Sequence, residues 1–190
     1  MKKIIIVDYG SGNVLSAQKS FVKIAKDNNI EVDVLISKNL NDVKESTHVV
    51  LPGQGAFSTC MNGLKKTDGL IDELCEFALI KKKPFLGICV GMQMLAKMSE
   101  ENGDHEGLGW IDGQIKLLPG DNLKLPHMGW NLATPTNSKY NNLISNKNDY
   151  YFVHSYYFDC ASKDNILAET KYGTNFASIV GKENIYGVQF

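Results

Sequence analysis

Three short, uninterrupted apolar runs, each closed by a glycine-rich turn, constrain the fold of this chain more than any other feature. Ile4 to Val7 is β-branched throughout and stops at Asp8-Tyr-Gly-Ser-Gly-Asn13. His48-Val-Val-Leu51 stops at Pro52-Gly-Gln-Gly55, and the run opened by Pro84 stops at Gly87-Ile-Cys-Val-Gly91. A strand with apolar residues at successive positions has both faces covered, the situation of an interior strand in a parallel sheet. Helical spacing fills the intervals, with Leu15, Phe21, Val22 and Ala25 ahead of Asp27-Asn28-Asn29, and Leu70, Ile71, Leu74 and Phe77 within a helix expected over 64–81. Residues 31–36 alternate as a further strand. This alternation predicts an α/β fold, a parallel sheet with helices on both faces, whose ligands bind beyond the carboxyl ends of the strands. The turns at 52–55 and 87–91 both fall there.

From about residue 107 the pattern changes to short strands and turns, at 109–118, 150–158, 166–171, 176–180 and 185–190, the last two joined through Gly181-Lys-Glu-Asn184. The second half is therefore expected to be β-rich and antiparallel, making the central sheet mixed but mostly parallel. Residues 136–149, rich in asparagine, read as a surface loop with a short helical turn. No repeat or long linker divides the chain, and 190 residues with 43% hydrophobic composition suit a single domain spanning 1–190. Twenty basic against 21 acidic residues leave a charge of −1, so neither nucleic acid nor an anionic membrane is the expected main partner. Lys81 to Lys83, the only basic run, is expected to end a helix in solvent. Four apolar residues after Met1-Lys-Lys are too few for a signal peptide or a span, which places the protein in the cytoplasm. Cys60, Cys75, Cys89 and Cys160 form no CxxC pair and no metal spacing, so no disulfide framework, metal or cofactor is expected.

Cys89 stands apart from the other three because Gly87 and Gly91 flank it at a strand-to-helix seam. Glycines there permit a tight reversal that lifts the thiol out of the sheet, the arrangement of a nucleophile elbow. A buried cysteine is commonly only a small hydrophobe, but the Pro52–Gly55 turn reaches the same sheet edge and can present an amide, from Gly53 or Gln54, near the thiol. Val90 supplies a second amide from the elbow itself. Such a pair forms an oxyanion hole, in which each donor is worth about 3 to 4 kcal/mol. Gln93, one helical turn beyond Cys89, is a candidate to hold the substrate in register.

These residues resemble the class I, triad-type glutamine amidotransferases, on Gly87-Ile-Cys-Val-Gly-Met-Gln93 and Pro52-Gly-Gln-Gly55. Asp8-Tyr-Gly-Ser-Gly-Asn13, Pro52-Gly-Gln-Gly-Ala-Phe57, Pro126-His-Met-Gly-Trp-Asn131 and Tyr151-Phe-Val-His-Ser-Tyr156 extend the resemblance over essentially the whole chain. They point to the branch of glutaminase subunits that serve a cyclase in histidine biosynthesis. The resemblance implies the amidotransferase fold, attack of Cys89 on the side-chain amide of glutamine, and a thioester intermediate. It also implies substrate contacts from Gln93, Glu101, His154, Ser155 and Tyr156. Ammonia would pass to a partner, a (β/α)8 barrel cyclase that makes imidazole glycerol phosphate and AICAR, forming a heterodimer. Asn13 and Trp130 match positions at that contact. Gln54 departs from the family, which commonly has an apolar residue there.

A thiol nucleophile needs a base and an orienting carboxylate. The histidines at 48, 105, 127 and 154 do not occupy the family's base position. The family places the pair in a His-Pro-Glu segment directly after a Gly-x-Gln-Phe strand, and this sequence ends at Gly187-Val-Gln-Phe190. A protein ending at Phe190 is accordingly expected to lack useful glutaminase activity. Two other functions fit the same residues: a paralogous amidotransferase subunit supplying ammonia for surface-sugar synthesis, and a non-catalytic binding subunit.

Overall fold

The three apolar runs become neighbouring parallel strands. In the computed structural model, which describes residues 1–120, 123–140, 144 and 148–190, β1 (Lys2–Val7) pairs with β2 (Val32–Ser37) on one side and β3 (His48–Gly53) on the other. β3 in turn pairs with β4 (Phe85–Cys89). Alternate side chains of these strands enter different layers, as the two-residue period of a strand requires. Ile6, Val34 and Val50 pack under α1 (Val14–Asp27) through Val14, Ala17 and Phe21. Ile5, Val7, Val49 and Leu51 pack on the opposite side with Val43 of α2 (Leu40–Glu45), Phe57 and Leu64 of α3 (Phe57–Lys66), and Leu70 and Leu74 of α4 (Leu70–Cys75). α1 thus covers one face of the sheet beside β1 and β2, and α2, α3 and α4 cover the other.

The helix expected over 64–81 is in fact several pieces. α3 begins earlier, at Phe57, and α4 runs on into a π-helical turn, Glu76–Ile80. Between α3 and α4, Gly69 takes φ +73°, a left-handed conformation that ends helical continuity. The basic run that follows is not simply solvated: Lys83 Nζ donates to the Ser46 carbonyl at 2.8 Å, and Lys81 lies 3.6 Å from the Glu76 carboxylate.

After β4 come α5 (Val90–Gln93), β5 (Met98–Ser99), β6 (His105–Glu106), β7 (Gly113–Leu117), β8 (His127–Leu132), β9 (Thr134–Pro135), β10 (Asp149–His154), β11 (Tyr156–Cys160), β12 (Ile166–Tyr172), β13 (Thr174–Lys182) and β14 (Ile185–Val188). The main sheet runs β2-β1-β3-β4-β14-β13-β11-β7-β5-β6, with β12 and β9 branching from β13. β14 is parallel to β4 and antiparallel to β13, so it joins the parallel half to the antiparallel one. The mixed, mostly parallel sheet and the antiparallel second half are as expected, although β5 and β7 pair in parallel.

The strand expected over 150–158 is two strands in two sheets. β10 pairs with β8 in a separate two-stranded ribbon, and β11 pairs with β7 and β13 in the main sheet. The chain changes sheets at Ser155, whose carbonyl accepts from Leu118 N at 2.9 Å. β8 itself was not evident from the sequence, because Gly129 and Asn131 are residue types that strands disfavour. In the loop over 136–149, a 3-10 turn forms at Ser138–Tyr140 and Ile144 is buried. The parts at 141–143 and 145–147 lie outside the described residues.

Candidate active site

β4 ends at Cys89, whose φ of +56° and ψ of −115° place a non-glycine residue in strained backbone. Three glycines make that turn possible by removing side chains where backbones meet. A Cβ on Gly91 would lie 1.8 Å from the Leu51 carbonyl oxygen, one on Gly53 would lie 2.6 Å from Gly91 N, and one on Gly87 would lie 2.5 Å from Gly91 O. β3, β4 and α5 therefore touch through their main chains. Gly53 becomes the register partner of Cys89, which brings the Pro52–Gly55 turn to the thiol. The helix after the elbow has only four residues. Leu95 N and Ala96 N bond three residues back, to Met92 O and Gln93 O, and the tightened chain leaves toward β5.

Burial pushes the Cys89 thiol above the usual cysteine range, while the Val90 N–H and the Gln189 side-chain amide bond to the sulfur and oppose the shift. Gln189 Nε2 lies 3.7 Å from Sγ. Val90, expected as an oxyanion donor, follows Cys89 directly as the first residue of α5. The opposing turn is tied down at four points. Tyr9 donates its hydroxyl to the Pro52 carbonyl at 2.6 Å. The Gln54 carbonyl accepts from Ser11 Oγ at 2.9 Å and from Cys60 Sγ at 3.4 Å. Just past the turn, Phe57 N donates to Glu101 Oε2 at 2.7 Å. Gly55, with φ +92°, gives the turn its left-handed step. Cys60 is fully buried in this contact, so a thiol without an expected role in fact supports the turn.

The residues expected to hold substrate come together only in part. Gln93, 4% exposed, donates through Nε2 to the Tyr156 carbonyl at 3.2 Å and to Gln189 Oε1 at 3.0 Å. His154 bonds the same Tyr156 carbonyl through Nδ1 at 2.9 Å and meets His127 Nδ1 through Nε2 at 3.1 Å. The Ser155 and Tyr156 carbonyls are therefore engaged within the protein. Glu101 commits one carboxylate oxygen to the turn rather than to open solvent. Among the described residues no histidine is hydrogen-bonded to Cys89, and no group of three or more His, Cys, Asp or Glu is placed to hold a metal ion.

At the expected partner contact, Asn13 caps α1 by accepting from Ser16 N at 3.1 Å. Trp130 is 72% exposed and stands edge-on to Tyr151, with ring centroids 5.5 Å apart. Tyr9, Ser11, Cys60, His127 and Gln189 were not singled out as site residues by the sequence. Tyr9, Ser11, His127 and Gln189 sit in motifs that were noticed, but the partners of the first two lie 43 to 49 residues away.

A strained cysteine at a strand-to-helix elbow, facing a glycine-rich turn from the adjacent strand, is the site of a class I amidotransferase. The profile described as "Glutamine amidotransferase class-I" matches residues 5–190, and the chain belongs to that family. Within it, the chain is 45% identical over 190 residues to the imidazole glycerol phosphate synthase subunit HisH of Pelagibacter ubique, covering 98% of this chain and 90% of that protein. It is 42% identical to the HisH of Rhodospirillum rubrum, covering 99% and 90%. A crystal structure of a glutamine amidotransferase superposes with TM-score 0.70 at 13% identity over 98% of this chain and 88% of the other. A glutamine amidotransferase from Thermotoga maritima superposes with TM-score 0.62 at 20% identity over 100% and 75%. Both share the fold. No helix among the described residues is long and apolar enough to cross a membrane.

Proposed function

We propose that this chain is the glutaminase subunit of an imidazole glycerol phosphate synthase, acting in the cytoplasm on glutamine. The observation that carries the reading is Cys89 itself: a positive-φ residue at the end of β4, with Gly53 of the turn as its register partner and Gln189 Nε2 3.7 Å from its sulfur. The thiolate adds to the side-chain amide carbon of glutamine. Oxyanion charge then develops opposite the Val90 amide and an amide of Gly53 or Gln54. Collapse expels ammonia, which takes the proton first removed from the thiol, and leaves a glutamyl thioester that water hydrolyses to glutamate. In the family this chain belongs to, a histidine carries that proton, and Gln189 lies beside the thiol.

Gln93 Oε1 and the second oxygen of Glu101 are the groups left to meet the amino-acid end of glutamine, with the backbone of His154, Ser155 and Tyr156 forming the adjoining wall. Ammonia released here is useful only if an acceptor is docked. The ribbon of β8 and β10 offers Met128, Trp130, Tyr151 and Val153 on one exposed face, an apolar patch suited to a protein partner. That partner is the (β/α)8 barrel cyclase of the synthase, and Asn13 and Trp130 lie at the contact.

The test is Cys89→Ser in the intact protein assembled with its cyclase. Glutamine hydrolysis is expected to fall by about a thousandfold or more, while synthesis supplied with free ammonia continues. Glutamine turnover surviving in Cys89→Ser, or failing to respond to the cyclase and its ligand in the unaltered protein, would overturn the reading.

A further inference from the structure

The Tyr156 carbonyl is the junction of two hydrogen-bond arms, and because a carbonyl only accepts, it sets the direction of both. Along one arm, His154 Nδ1 lies 2.9 Å from Tyr156 O and must carry the hydrogen. In a neutral imidazole this leaves Nε2 as an acceptor, so His127 Nδ1, 3.1 Å away, carries a hydrogen as well. His127 Nε2 is then the acceptor for Asn131 Nδ2 at 3.2 Å. The orientation of the Asn131 amide is set independently, since its Oδ1 accepts from Leu132 N and its Nδ2 donates to the Lys171 carbonyl. Along the other arm, the atom of Gln93 facing Tyr156 O is its Nε2. The same nitrogen donates to Gln189 Oε1, which turns Gln189 Nε2 toward the Cys89 sulfur. Each group satisfies its neighbour, and no donor faces a donor.

We propose that His154 and His127 are positioning residues for the Cys89 nucleophile: two neutral imidazoles, each protonated at Nδ1, that hold the Tyr156 carbonyl and through it Gln93 and Gln189, so that an N–H is delivered to the sulfur. The inference rests on the reading of Cys89 as the nucleophile. His127 and His154 are register partners across β8 and β10, on the buried side of a ribbon whose other side carries Trp130 and Tyr151. His154 also spans Ser155, where the chain leaves the ribbon for the main sheet. Four links of the path are nearly inaccessible to water, at 3% for His127, 6% for His154, 4% for Gln93 and 1% for Gln189. Water therefore cannot readily replace a lost link. Burial pushes the His154 pKa down to about 4 and lowers that of His127, in keeping with two uncharged rings.

Two measurements test this in the intact protein. Side-chain nitrogen NMR of the histidine-labelled protein at pH 7 is expected to show His127 and His154 as neutral Nδ1–H tautomers, and an Nε2–H tautomer or a charged ring at either position would overturn the proposal. The second follows iodoacetamide alkylation of Cys89 by peptide mass spectrometry as a function of pH. His154→Phe and Gln189→Met are each expected to slow alkylation about tenfold at neutral pH and to move its pH midpoint upward. His154→Asn, which keeps a donor for the Tyr156 carbonyl, is expected to recover most of the rate. An unchanged rate and midpoint in Gln189→Met would overturn the proposal, and that variant decides the matter if His154→Phe does not fold. Alkylation requires no glutamine, so this failure is distinct from that of the amidotransferase reading, which would show as glutamine turnover in Cys89→Ser.

Discussion

Cys89 is held between opposing influences. Its site is dry enough to disfavour a thiolate, yet the Gln189 amide points at the sulfur. The same burial that weakens ionisation strengthens each hydrogen bond to the ion once it forms, so the site suits a thiol ionised at the moment of attack rather than one ionised at rest. The histidine pair carries its own consequence for stability. Burial pushes the His154 pKa down to about 4, from an ordinary value of about 6.5, so the folded state refuses a proton that the unfolded chain accepts. Its contribution is fully present above the unfolded value and is lost as pH falls from about 6.5 toward 4, a change of roughly 3 kcal/mol. Urea unfolding at pH 7 and pH 4.5 is expected to show this loss, and His154→Phe is expected to flatten the difference between the two pH values by a similar amount. An equal pH response in the variant and the unaltered protein would contradict the assignment.

Among the elements, the contact of β3 with α5 and β4 is the least tolerant of change. Gly91→Ala would set a methyl 1.8 Å from the Leu51 carbonyl oxygen, and neither backbone can retreat without breaking the pairing of β3 with β4. A loss of about 3 kcal/mol or more is expected in thermal or urea unfolding, together with loss of Cys89 labelling by a glutamine-analogue electrophile. Gly55→Ala is different: nothing lies within 4 Å of its Cβ, so any cost there comes from its positive φ alone. The elements also show where local patterns mislead. Leu70 to Phe77 carry helical spacing, yet Gly69 breaks what that spacing would join to α3. Residues 150–158 read as a single strand, yet a bend at Ser155 sends the two halves to different sheets. Periodicity reports which face is buried and is blind to which neighbour buries it.

At the scale of the whole molecule, Cys89, the Pro52–Gly55 turn and the β8–β10 ribbon are joined by buried hydrogen bonds, while the ribbon's outer face remains apolar and exposed. Trp130→Ala removes a side chain that contributes little to the fold, so unfolding is expected to shift by less than about 0.5 kcal/mol. Affinity for the cyclase is expected to fall about tenfold or more, read by calorimetric titration. An unchanged affinity would move the docking surface elsewhere.

Much of this was legible in the chain itself. β1, β3 and β4, the layers of helix around them, the elbow at Cys89 and the turn at Gly53 and Gln54 all follow from apolar runs and glycine spacing, because strand period and turn conformation are properties of a few consecutive residues. Tertiary structure alone decided which buried polar groups meet. Ser11 reaches Cys60 across 49 positions, Gln93 reaches Gln189 across 96, and Gln189 reaches Cys89 across 100. The first meeting depends on β3 lying beside β1, and the other two on β14 lying beside β4. A hydrogen bond forms wherever the sheet order places its two ends within 3 to 4 Å, and sheet order leaves no local trace in the residues it brings together.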